Sequence, residues 1–107
     1  MIGFTVYNNS WSQANSSSEG AFPFPTNTDT VAGGHAVVIC GYDDNKTIIN
    51  KQDNSKTVGA LKIRNSWSIN WGNRGYGWLP YKYVETQLAM DFWVLLSMEY
   101  VNRKVFN

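Results

Sequence analysis

"GGHAVVICGYDD", residues 33–44, holds the only histidine and the only cysteine of the 107-residue chain. From His35 to Tyr42 the run is almost continuously apolar, which argues for a strand buried on both faces. On a strand rising about 3.3 Å per residue, His35 and Cys40 stand roughly 17 Å apart, and an odd separation turns them to opposite faces. They cannot serve as base and nucleophile within one copy of the chain. Cys40 is expected to be a buried small apolar residue.

Outward from this strand the chain reads as further strands punctuated by turns. "IGFTVY" (2–7) has the β-branched and aromatic content of a strand. Residues 8–32 are polar and turn-rich, with Pro23 and Pro25, and read as surface loop. The stretch between Asp43 and Ala60 is a polar excursion with Thr47–Asn50 as a short strand; it is expected to be an exposed hairpin extension that hardly joins the core. "ALKIRN" (60–65) resumes apolar alternation, "YKYVETQLA" (81–89) has some helical period, and "DFWVLLSMEYV" (91–101) reads as a closing strand. These readings predict one small domain over residues 1–107, mainly β with little helix, and twisted or barrel-like.

With 9 Lys+Arg against 8 Asp+Glu and a net charge of +1, the concentrated positive charge of a nucleic-acid binder is missing. No apolar run reaches the roughly 18 residues of a membrane helix, and residues 1–11 lack the pattern of a secretory signal. A single cysteine makes no internal disulfide. Neither nucleic acid nor membrane is expected as a partner.

Downstream of His35 stands "RNSWSINWGNRGYGWLPYKYV" (64–84). Gly-His-Ala before an apolar strand and Gly-Tyr, followed in order by Asn-Ser-Trp, Trp-Gly and Gly-Tyr-Gly, resembles the C-terminal, β-rich half of the papain-like cysteine peptidases, in the form found in bacterial and archaeal members. The resemblance implies an α+β family fold of which this chain would be the barrel-like right-hand half. It gives His35 the role of general base and Asn65 that of its orienting amide. The chemistry needs both, because a thiolate forms readily only beside an imidazole, and that imidazole must present the correct nitrogen. Trp67 matches an indole shielding the Asn–His hydrogen bond, and Trp71 an aromatic on the leaving-group side of the cleft. Gly33, Gly34 and Ala36 would border the pocket for the substrate side chain, with Gly3 of the first strand alongside. No metal or cofactor is expected.

Ser68 stands where the family usually has Gly. The nucleophilic cysteine and the oxyanion-hole glutamine belong to an N-terminal half that is absent from these residues, and none of Gln13, Gln52 or Gln87 has the matching context. The expectation is therefore a peptidase portion with base and orienter but no nucleophile, silent as an isolated chain and acting on peptide or protein substrates once completed. The alternative is an inactive papain-fold remnant binding peptides or proteins through the old cleft. With 16 aromatics (5 Trp, 6 Tyr, 5 Phe) in so short a chain, an uncovered apolar face predicts association, with the missing half or as a homo-oligomer.

Overall fold

The computed structural model describes residues 1–65 and 71–91. Seven elements follow one another: β1 (Ile2–Tyr7), α1 (Asn8–Ser16), β2 (Val31–Ile49), β3 (Lys56–Arg64), β4 (Tyr76–Pro80), α2 (Tyr81–Glu85) and β5 (Ala89–Asp91). The strands form one five-stranded antiparallel sheet in the order β4-β3-β2-β1-β5. The chain is mainly β with little helix, as its sequence implies. Most of the expected closing strand, from residue 92 on, lies outside the described residues.

β2 organises the sheet. Its first part, Val31–Val37, pairs with β1, and its second, Val38–Ile49, pairs with β3. Val37 is buried, but Val38 is 49% and Ile39 42% exposed, so the strand is not covered on both faces. Cys40 is exposed rather than buried. The register explains it: Ile39 pairs with Ile63 and Gly41 with Lys62, leaving Cys40 as the extra residue of a bulge. The buried reading of Cys40 assumed a strand covered on both faces, and around Cys40 that cover is missing.

The core gathers around β1. Phe4 is fully buried and meets Phe22 edge-on at 5.1 Å and Tyr83 at 6.0 Å, in a cluster that also takes in Ile63, Leu79 and Ala14. Burying one such phenyl ring stabilises by about 2–3 kcal/mol. Residues 20–22 cover the outer edge of β4 through Phe22 N–H to the Trp78 carbonyl (3.0 Å) and Trp78 N–H to the Gly20 carbonyl (3.1 Å). Gly77 is required there, since a Cβ would lie 2.5 Å from the Gly20 carbonyl oxygen and 2.7 Å from the Trp71 ring.

One loop expectation is corrected and another is qualified. Residues 8–16 are helical, because the Asp29 carboxylate accepts the Asn9 N–H (2.9 Å) and the Ser10 N–H (3.2 Å), donors that no N-cap side chain satisfies. That partner lies 20 residues downstream, where local pattern reading does not look. The excursion between Asp43 and Ala60 is a hairpin exposed along most of its length, as expected, but it is anchored to the body at a few points. Ile48 (5% exposed), Asn50 (2%) and Ala60 (0%) are buried. Asn50 Nδ2–H donates to the Phe24 carbonyl (2.9 Å), and Gln13 donates to Asn50 Oδ1 (2.9 Å) while accepting the Lys51 N–H (2.9 Å).

Candidate active site

His35 sits on the first part of β2, opposite Phe4 of β1. Asn65 directly follows β3 and is held by its N–H to the Gly75 carbonyl (2.8 Å). Because β2 and β3 form one antiparallel hairpin, residues 30 apart in sequence meet: His35 Nε2 lies 3.2 Å from Asn65 Oδ1. An amide oxygen only accepts, so Nε2 carries the proton and Nδ1 is the basic nitrogen of the neutral ring.

Aromatic rings define the remaining walls. Phe4 approaches the imidazole edge-on from β1 (5.9 Å, 77°) and Trp11 does so from α1 (6.2 Å, 84°). This half-buried setting costs the charged form its hydration and holds the His35 pKa below the ordinary imidazole value, while the Asn65 bond pulls it partly back up. Asn65 is 3% exposed, and its Nδ2 has no partner among the described residues.

Beside the imidazole opens a cavity of about 370 Å³, walled by Val6, Asn8, Trp11, Ala32, Gly33, Gly34 and His35. A Cβ at Gly33 would meet nothing within 4 Å, so this wall of the cavity faces open space. Gly33, Gly34 and His35 are thus brought together. Ala36 and Gly3 pair with each other across β1 and β2, one step along from His35, and are not among the cavity walls. Trp71 is not among the cavity walls: its indole N–H bonds Asn15 Oδ1 (2.9 Å) and its ring packs on Phe22 at 5.8 Å. Trp67 and Ser68 lie outside the described residues. Cys40 Sγ–H donates to the Lys62 carbonyl (3.4 Å), away from this cluster. Among the described residues, no group of three metal-ligating side chains occurs.

Sequence reasoning missed Trp11. Its one signal was a large aromatic alone in the polar stretch "NNSWSQANS", a residue that water would not favour leaving uncovered.

No family model matches the chain. Among solved structures it is similar to xylellain, a cysteine protease from Xylella fastidiosa, with 40% identity and a TM-score of 0.54 over 84% of this chain. Among curated proteins it is 35% identical over 97 residues, 89% of its length, to an uncharacterized peptidase C1-like protein of Acanthamoeba polyphaga mimivirus. Over most of its length the chain thus resembles cysteine peptidases of the papain-like type. It spans 29% of xylellain and 27% of the viral protein. The chain therefore corresponds to a portion of each of these proteins.

Proposed function

We propose that the chain contributes the general base and its orienting amide to a papain-like cysteine peptidase, with the nucleophilic thiol supplied by a segment outside these 107 residues. The observation that carries this reading is the 3.2 Å contact of His35 Nε2 with Asn65 Oδ1, which commits Nδ1 to accepting a proton. In the reaction the incoming thiol gives its proton to Nδ1 and the thiolate adds to the substrate carbonyl carbon. The C–N bond then breaks, and the Nδ1 proton passes to the departing amine. Water, deprotonated by the same nitrogen, cleaves the thioester and releases the acid and the thiol. The cavity walled by Gly33, Gly34 and Trp11 adjoins the base and suits a substrate segment bordering the scissile bond.

Cys40 is a poor candidate for the thiol, since it sits on a bulge five residues along the strand from His35. The uncovered apolar side chains of Val38, Ile39, Tyr42 (71% exposed) and Val58 (58%) support association with a complementary piece or a second copy. The test uses a Cys40→Ala chain mixed with a polypeptide bearing the cysteine helix of a papain-like peptidase, assayed with a dipeptidyl fluorogenic substrate. Each piece alone is silent, the mixture turns over, and His35→Ala lowers that turnover by at least about 100-fold. Turnover indifferent to His35→Ala would sink the proposal. Peptide binding by the chain without turnover in any mixture would favour the inactive, peptide-binding alternative.

A further inference from the structure

We propose that Asp29 is a positioning residue for His35, acting through helix α1 and the indole of Trp11. The inference rests on His35 being the base of the site. It begins with the weakness of α1 itself. Nine residues, "NNSWSQANS", are too few for an isolated helix in water, where about 12–15 are marginal. The first turn holds no acidic residue, and Tyr7 in the capping position makes no side-chain cap. What holds that turn comes from residues 29 and 30. Asp29 Oδ1 accepts the Asn9 N–H (2.9 Å), while Oδ2 accepts the Ser10 N–H (3.2 Å) and the Ser10 hydroxyl (3.4 Å). Beside it, the Asn8 N–H donates to the Thr30 carbonyl (2.8 Å) and the Asn8 side-chain amide to Thr30 Oγ1 (2.8 Å).

Trp11 follows Ser10, which is fully buried, so the brace ends one residue from the indole that stands edge-on to His35. Phe4 and Asn65 contact the imidazole from β1 and from the end of β3, elements tied into the sheet; Trp11 alone of these three comes from an element that its own sequence does not stabilise. Burial and the Asn65 bond are the influences that move the His35 titration, with no charged side chain among them. Loosening α1 would let water reach the ring and free it to turn away from Asn65.

His35 is the only histidine, so its ring nitrogens give a single assignable NMR signal set. The experiment titrates His35 by ¹⁵N NMR in the wild-type chain, Asp29→Ala, Asp29→Asn, Trp11→Leu and the Asp29→Ala/Trp11→Leu double variant, with circular dichroism checking each fold. The wild-type chain should show the Nε2–H tautomer and a pKa below about 6.5. Asp29→Ala and Trp11→Leu should each raise the pKa toward that value and mix the tautomers. In the double variant the effect of Asp29→Ala should vanish, because its route to the ring is gone. A folded Asp29→Ala with an unchanged His35 signal overturns the proposal, and so does an equal shift with or without Trp11. If Asp29→Ala does not fold, Asp29→Asn, which keeps one acceptor oxygen, decides by the same criterion. An unmoved signal in Trp11→Leu overturns the route whatever Asp29 does. Because the readout is the ring itself, the result is independent of whether complementation restores turnover.

Discussion

Two buried asparagines, Asn50 and Asn65, occupy opposite ends of the β2–β3 hairpin and are held in different ways. Asn50 is saturated: its amide donates to the Phe24 carbonyl, its oxygen accepts from Gln13 and from the Gln52 N–H, and its backbone bonds Ser55 and Asn54. Asn65 is nearly as buried, yet it commits its oxygen to His35 and leaves Nδ2 without a partner among the described residues. A buried donor left unpaired would cost about 1–3 kcal/mol. The comparison sets an asparagine bonded on several sides within the fold beside one whose oxygen meets the His35 ring.

The largest expected effect lies at the saturated end. Asn50→Ala strands the Gln13 amide, the Phe24 carbonyl and the Gln52 N–H, and should cost about 3 kcal/mol in urea unfolding. A loss below about 1 kcal/mol would mean that water replaces those bonds and that the hairpin tip is as peripheral as its polar sequence suggests. Asn65→Ala removes a donor that has no partner among the described residues along with the bond to His35, so stability should fall by less than about 1 kcal/mol. The change should appear at the imidazole instead: without the bond that raises it, the His35 pKa drops further. A cost matching that of Asn50→Ala would erase the distinction between the two residues.

The smallest effect is the pH dependence of stability. In the unfolded chain His35 titrates near 6.5, and in the folded chain lower, so between those values the unfolded state binds more protons. Stability is therefore complete above about pH 6.5 and declines as pH falls from there through the folded value. His35→Gln should flatten that slope. An unaltered slope would place its origin in other groups and remove the imidazole from the stability of the site.

What the sequence determined by itself is what local pattern carries. The apolar content of residues 2–7 and 35–42 marks β1 and β2, and the resemblance carried by the ordered motifs through residue 77 implies the pairing of His35 with Asn65. The tertiary structure decided the rest. A carboxylate 20 residues away makes a helix of the polar stretch holding Trp11. One unpaired residue in the β2–β3 register turns Cys40 outward, and contacts with α1 and the Phe24 carbonyl bury Asn50 in a hairpin whose composition reads as solvated. In each case the deciding partner lies far along the chain, and hydrogen bonds between distant segments leave no periodic trace in either.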